Sequence, residues 1–178
     1  MAAFSAERIE AMLQEGDGAD TRAEQGRALE NLICYLFENV PGITITRRNA
    51  LNVFESEEID VAFWNDLDPR GLPFLPRIIL IECKNWSKAV GSEEVAWFDR
   101  KLLDRGLLFG ILIAARGITG DPNGRTAAHQ IVTQALREQR QLIVFTRNEL
   151  EVMTDSDELI ARIKEKLCEL VVTGTVLP

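Results

Sequence analysis

The chain has 178 residues, of which 46% are hydrophobic and 27% are charged, and its formal net charge is −8. This composition is typical of a globular protein, and the length predicts a single domain over residues 1–178 with a core of its own. The acidic balance excludes a generally cationic coat for nucleic acid, although a local basic groove beside acidic metal ligands remains possible.

The cysteines, Cys34, Cys83 and Cys168, are odd in number and widely spaced in apolar contexts. This pattern indicates reduced thiols in the core, not a disulfide framework or a zinc site. The first residues lack the apolar core of a signal peptide, and no apolar run approaches the length that spans a bilayer. We therefore expect a soluble, cytoplasmic protein that does not bind a membrane.

The first part of the chain predicts two helices. A short amphipathic helix over residues 5–15 ends at a Gly-Asp-Gly breaker. A second helix covers residues 21–39, with Thr21 as its N-cap and Glu24 at the capping-box position. The second half of this helix is apolar almost all round, and Glu30 lies on its buried face, where a carboxylate needs a partner.

A meander of three strands is predicted next. A β-branched strand over residues 43–48 leads through a loop over residues 49–56 to a second alternating strand over residues 57–64. The second strand carries Asp60 on the face opposite to Ile59. A connection with three prolines then leads to a third strand, and strands in this order favour antiparallel pairing.

The third strand begins with four branched aliphatic residues, 78–81, and continues into Glu82 and Lys84. Because side chains alternate along a strand, Glu82 and Lys84 share one face. An antiparallel neighbour can place Asp60 opposite Glu82. For an isolated Glu-x-Lys the ordinary interpretation is a solvated ion pair, so a functional interpretation needs support from the rest of the chain.

The rest of the chain alternates helices with strands, which predicts an α/β fold with a mixed sheet. The strand over residues 109–115 is apolar throughout and suits the parallel, doubly covered centre of a sheet. The other predicted elements are a helix over residues 92–105 with Ser92 as N-cap, a helix over residues 125–139, a strand over residues 142–146, and a helix over residues 157–170 with Ser156 or Asp155 as N-cap.

The chain resembles the active-site pattern of the PD-(D/E)xK nuclease superfamily in three features. These are an acidic residue on the packed helix, Asp60 on the second strand and Glu-x-Lys on the third. The segment Ile-Glu-Cys-Lys-Asn-Trp-Ser-Lys-Ala-Val, residues 81–90, is similar to its Mrr-like, type IV restriction endonuclease branch, as is Gly-Ile-Leu-Ile-Ala-Ala-Arg-Gly-Ile-Thr, residues 110–119. One departure is the absence of the glycine turn that often precedes the aspartate in that branch.

The resemblance covers roughly residues 21–150 and implies a restriction-endonuclease-like αβββαβ core with a central mixed β-sheet flanked by helices. Residues 1–20 would form an N-terminal helical extension. Residues 151–178 would form a C-terminal helix and a tail that adds a strand or frays.

The resemblance also implies a metal-dependent endodeoxyribonuclease that uses Mg²⁺, for which Mn²⁺ would substitute. Mg²⁺ prefers hard oxygen ligands, which Asp60 and Glu82 can supply, and the family implies the backbone carbonyl of Cys83 as a third ligand. Lys84 would orient the attacking water or offset charge on the phosphate, and a nearby cation would depress its pKa. Glu30 would bind the ion through a water.

Several other residues give weaker indications. Trp86 could stack on a base or shape the site, although an aromatic residue beside a strand end more often serves packing. His129, the single histidine, is expected to be structural. For any one basic residue on a helix, a solvated face is the ordinary interpretation. The basic residues that could bind DNA phosphates are Lys88, Arg100, Lys101 and Arg105, with Arg47 and Arg48 on the first strand.

Three functions stay open at this point: a restriction or defence nuclease acting on DNA, a structure-selective nuclease for repair or junctions, and a non-catalytic module that binds DNA or protein. Cutting both strands usually needs two active sites, so a homodimer is a hypothesis. A partner subunit could supply sequence specificity.

Overall fold

The computed structural model describes residues 2–51, 58–124 and 126–176. No helix within these ranges has the length and apolar character needed to cross a membrane. The helices are α1 (Ala6–Asp17), α2 (Arg22–Glu38), α3 (Ser92–Asp104), α4 (Ala128–Arg137), α5 (Arg147–Glu151) and α6 (Ser156–Thr173), and the strands are β1 (Ile43–Leu51), β2 (Glu58–Asn65), β3 (Ile78–Lys84), β4 (Phe109–Ala114) and β5 (Gln141–Phe145).

The strands form one mixed sheet in the order β1-β2-β3-β4-β5. Strands β1, β2 and β3 pair antiparallel, whereas β4 runs parallel to both β3 and β5. Every residue of β4 is buried, which explains its unbroken apolar sequence. The predicted α/β fold, with an antiparallel meander continued by parallel strands, is confirmed.

Helix α2 begins as its sequence predicts. The Thr21 hydroxyl accepts a hydrogen bond from the Glu24 amide, and the Glu24 side chain accepts one from the Thr21 amide, which completes the capping box. The aliphatic residues from Ala28 onward are buried, and the Phe37 ring stacks on Phe63 of β2 at a centroid distance of 5.2 Å. This packing fixes α2 against one face of the sheet.

Helix α3 lies close to β4 because a glycine leaves room for it. A Cβ atom on Gly110 would lie 2.7 Å from Cδ1 of Leu102 and 2.8 Å from Cζ of Phe98, so a larger residue would fit only if these side chains shifted. Gly110 is the parallel partner of Leu80 on β3. Because residues two apart on a strand share a face, α3 covers the face of the sheet that carries Glu82.

Two boundaries of the antiparallel half differ from expectation. Strand β1 continues to Leu51, where a loop over residues 49–56 was expected, because its pairing with β2 extends to Glu58. Residues 52–56 lie outside the described residues. Helix α3 has Gly91 as N-cap with no side-chain hydrogen bond, so the prediction of Ser92 as N-cap is wrong by one position.

The helices in the C-terminal third of the chain also differ from those predicted from the sequence. Sequence reasoning missed the short helix α5, although Thr146 and Glu149 form a complete capping box at its start. Helix α4 begins at Ala128, and the expected start at residue 125 lies outside the described residues. Helix α6 has the expected Asp155 cap and continues to Thr173, where Gly174 ends it with φ of 78°.

The cysteines are free, but they are not all in the core. Cys34 and Cys83 are buried, whereas Cys168 is exposed on the outer side of α6. The expectation of a buried thiol is therefore wrong for Cys168, because an apolar neighbourhood in sequence need not face the core on a helix.

Candidate active site

The site lies where the ladder between β2 and β3 stops. The last partners of this ladder at the site end are Val61 and Ile81. The next donor on β3, the amide of Cys83, is bound by a side chain: its N–H donates to Oδ2 of Asp60 at 2.7 Å. The Asp60 carboxylate is thus fixed to β3 beside Glu82, as the antiparallel register predicts.

Glu82 is held between two ammonium groups. The residue is 3% exposed, and its Oε1 accepts a hydrogen bond from Nζ of Lys84 at 2.7 Å. Its Oε2 accepts one from Nζ of Lys101 at 2.8 Å. The Lys84 side chain is 23% exposed and that of Lys101 only 5%, so one ammonium faces the solvent side of Glu82 and the other faces the interior.

Lys101 is the residue that sequence reasoning misplaced. We expected it on the surface of α3 as a phosphate-binding side chain, but it is buried, and its Nζ also donates to the backbone carbonyl of Glu58 at 2.7 Å. The spacing contained the signal: Lys101 follows Phe98 by three positions and precedes Leu102, so it shares their inward face. A lysine on that face must find buried partners.

The electrostatics of Asp60 reflect two carboxylates kept close together. Burial, and after it the negative charge of Glu82, raise the pKa of Asp60 to about 6. The amide of Cys83 and the two lysines oppose this shift. A carboxyl group with a strongly raised pKa beside a second carboxylate is typical of functional sites.

The pKa of Lys84 in the protein alone is set by the carboxylates around it, and the depression expected from a bound cation stays a prediction. Burial does lower it, but the negative charge of Glu82, its hydrogen bond and the charge of Asp60 together raise the pKa above the ordinary value. In the protein itself, therefore, Lys84 is held as an ammonium ion by the carboxylates that it faces.

Glu30 is buried, as expected, and one of its carboxylate oxygens lacks a hydrogen bond within the described part of the chain. Its Oε2 has no hydrogen-bond partner among the described residues, and Nη2 of Arg48 lies 3.7 Å away. After burial, the charges of Asp60, Glu30 and Glu82 all raise the pKa of the Cys83 thiol, so the three carboxylates lie around that residue. Within the described ranges, however, no three Asp, Glu, His or Cys side chains are close enough to share an ion.

The remaining basic residues occupy different environments. Arg100 is exposed and pairs with Asp104 at 2.9 Å, and Arg105 donates to the backbone carbonyl of Lys101 at 2.9 Å. Arg48 donates to Asn31 at 2.7 Å. Lys88 is exposed and lines a cleft of ≈ 300 Å³ at the end of β3, whose walls are Arg22, Gln25, Asn85, Trp86, Ser87, Lys88 and Glu94.

Trp86 connects this cleft with the acidic site. Its ring centroid lies 6.0 Å from Nζ of Lys84, and the side chain is half-buried. The structure therefore brings Asp60, Glu82 and Lys84 together, adds Lys101 behind them, and places Trp86 and Lys88 beside them on the solvent side.

Comparison with known proteins identifies the type of fold. A comparison with curated proteins found no match. A family model, Mrr_cat, described as restriction endonuclease, matches residues 21–153. This match covers most of the chain, including α2, the whole sheet and the site at the end of β3. The chain therefore belongs to the Mrr-type restriction endonuclease family.

Proposed function

We propose that the protein is a Mg²⁺-dependent DNA endonuclease that acts in restriction or defence against foreign DNA. Its active-site residues are Asp60, Glu82 and Lys84, with Glu30 in support. Membership of a restriction endonuclease family supports a nuclease. The observation that carries the assignment to these residues is the contact of the Asp60 carboxylate with β3 at Cys83, beside the Glu82–Lys84 pair.

The residues present fit a hard divalent cation. Asp60 and Glu82 supply carboxylate oxygens from adjacent strands, and Mg²⁺ keeps several waters, so it needs few protein ligands. The raised pKa of Asp60 reports burial and repulsion from Glu82, both of which a divalent cation would relieve. The backbone carbonyl of Cys83 would be the third protein ligand. A bound Mg²⁺ or Mn²⁺ would supply charge neutralisation at the phosphate and a more acidic water.

Lys84 is the residue proposed to act on the phosphate. One of its three N–H donors binds Glu82, and its side chain remains partly exposed. The other donors are therefore available to an oxygen of the scissile phosphate or to the attacking water. A fixed ammonium at this position offsets negative charge that develops during hydrolysis.

Glu30 supports the site from behind. Its buried Oε2 is an acceptor without a described donor, which is a costly arrangement unless a polar ligand satisfies it. A water between this oxygen and the cation site would satisfy it, and this is the role that we assign to Glu30.

DNA would enter beside Trp86 and Lys88. The cleft at the end of β3 combines an indole ring with the basic side chains of Arg22 and Lys88, a combination that suits a nucleotide with its phosphate. Arg100 is a weaker candidate because Asp104 already neutralises it. We also propose that the protein acts as a homodimer, or with a specificity subunit, because one site cuts one strand at a time.

Supercoiled plasmid tests this function. We expect nicking and linearisation with Mg²⁺ or Mn²⁺ and none in EDTA, and loss of cleavage in Lys84→Met with plasmid binding retained. A panel of unmodified plasmid, methylated plasmid and branched DNA would separate a restriction enzyme from a junction nuclease. Plasmid binding without cleavage in any metal would contradict the proposal and favour a non-catalytic module.

A further inference from the structure

The buried side of Glu82 is occupied by a positive charge that belongs to the protein. Lys101 is 4% exposed and uses two donors, one for Oε2 of Glu82 at 2.8 Å and one for the carbonyl of Glu58 at 2.7 Å. Both partners lie at the end of the β2–β3 ladder, so the ammonium is fixed by the fold on two sides. The position of this charge does not depend on the solvent or on DNA.

The charges at this site sum to zero. Asp60 and Glu82 contribute two negative charges, and Lys84 and Lys101 contribute two positive ones. Glu30, the third carboxylate, has its own cation in Arg48 at 3.7 Å. Each oxygen of Glu82 already accepts a hydrogen bond from one of the lysines. A divalent cation approaching Asp60 and Glu82 would therefore meet no net negative charge in the protein alone.

We propose that Lys101 is a positioning residue that holds Glu82 and, through its fixed charge, makes loading of the divalent cation depend on a DNA phosphate. This inference rests on the proposed function and concerns the same site. The phosphate would bring the negative charge that the four protein groups lack. By linkage, DNA then raises the affinity for the metal by the same factor that the metal raises the affinity for DNA.

Lys101→Met tests the inference, because methionine keeps an unbranched side chain and removes the charge. We expect the affinity for Mn²⁺ without DNA, measured by calorimetry at pH 8, to rise about tenfold or more, since a repelling unit charge is lost beside Glu82. Lys101→Arg keeps the charge and should stay close to wild type. Lys166→Met removes another buried lysine, paired with Glu149 at 2.7 Å, and controls for the loss of a buried ion pair.

The second readout is the Mn²⁺ concentration at half-maximal plasmid cleavage. In the wild type it should lie well below the Kd for Mn²⁺ without DNA, and in Lys101→Met the two values should converge. The maximal cleavage rate of Lys101→Met should fall, because Glu82 is no longer held. A purely structural lysine would change thermal stability alone.

Three results would overturn the inference: Mn²⁺ binding unchanged or weaker in folded Lys101→Met, tightening of the same size in Lys166→Met, or tight binding by the wild type without DNA. In each case the cleavage of plasmid by the wild type still reports on the proposed function. Absence of both cleavage and metal binding in all variants would instead remove the proposed function together with this inference.

Discussion

Two buried lysines in this protein form similar ion pairs in different surroundings. Lys101 pairs with Glu82 and Lys166 pairs with Glu149, at 2.8 and 2.7 Å respectively. Glu149 has one ammonium partner, and its other oxygen accepts from the amide and the hydroxyl of Thr146. Glu82 has two ammonium partners and lies beside the carboxylate of Asp60.

The surroundings of the two ion pairs indicate a structural role for the pair of Lys166 and a functional role for the pair of Lys101. The pair of Lys166 closes a local network in which each polar group has a partner and the ammonium lies 5.1 Å from the centre of the Phe145 ring. At Glu82, by contrast, like charges are kept together, and the pKa of Asp60 is raised to about 6 as a result of burial and the charge of Glu82. Folding alone does not need such an arrangement, which is why we place the chemistry there.

The largest expected effect comes from Lys84→Met. Loss of its ammonium should slow single-turnover cleavage of plasmid by about 10²–10⁴-fold, because a fixed cation at the phosphate is lost. Glu82 keeps Lys101, and the Lys84 side chain is partly exposed. The free energy of unfolding should therefore change by less than about 1 kcal/mol. Cleavage within threefold of the wild type would exclude Lys84 from the chemistry.

Lys166→Met should lower stability and leave the cleavage rate unchanged. It leaves Glu149 without its ammonium partner, so the free energy of unfolding should fall by about 3 kcal/mol. Urea denaturation measures this change. Cleavage at 25 °C should remain at the wild-type rate in the folded fraction, and a selective loss of cleavage would show that the two lysine pairs are not separated as described.

Asp60→Asn should stabilise the fold. The ordinary pKa of an aspartate is 3.8, and in the folded protein that of Asp60 is about 6. The folded protein therefore binds this proton more tightly than the unfolded chain, so stability falls as the pH rises from 3.8 through 6. At pH 7 in EDTA, Asp60→Asn should be more stable by about 2 kcal/mol.

Denaturation at two pH values checks the sign of this effect. The advantage of Asp60→Asn should shrink toward zero as the pH falls below 3.8, where the carboxyl group becomes protonated in the unfolded chain as well as in the folded protein. A variant less stable than the wild type at pH 7 would mean that the hydrogen bond from the Cys83 amide outweighs burial and repulsion.

The smallest expected effect concerns DNA binding in the cleft beside Trp86. Lys88→Ala should weaken plasmid binding several-fold and reduce the dependence of log K on log salt by about one unit, because one phosphate contact is lost. Arg100→Ala is the matched control, since Asp104 already pairs with it. Equal effects of the two substitutions would argue against DNA in the cleft beside Trp86.

Local patterns in the sequence were sufficient for much of the fold. The capping box at Thr21, the alternation that puts Glu82 and Lys84 on one face, and the apolar run of β4 each depend on neighbours within a few residues. The contact of Asp60 with the end of β3 joins residues 23 positions apart, and it could be predicted because consecutive strands in a meander pair antiparallel.

The features that could not be predicted depend on packing between elements that are far apart in the sequence. The spacing puts Lys101 on the inward face of α3, but its depth of burial depends on Gly110, which leaves room for α3 beside β4. The extension of β1 to Leu51 depends on its partner strand. Whether Glu30 joins Asp60 and Glu82 closely enough to share an ion depends on how α2 packs on the sheet, and among the described residues they form no such group.

The most direct test of the proposed chemistry compares wild type with Asp60→Asn on supercoiled plasmid in Mg²⁺. The variant is expected to be the more stable protein, so unfolding cannot account for lost activity. The expected result is nicking by the wild type that needs Mg²⁺, and none by Asp60→Asn at any Mg²⁺ concentration. Equal cleavage by both proteins would contradict the assignment of Asp60 and with it the location of the active site.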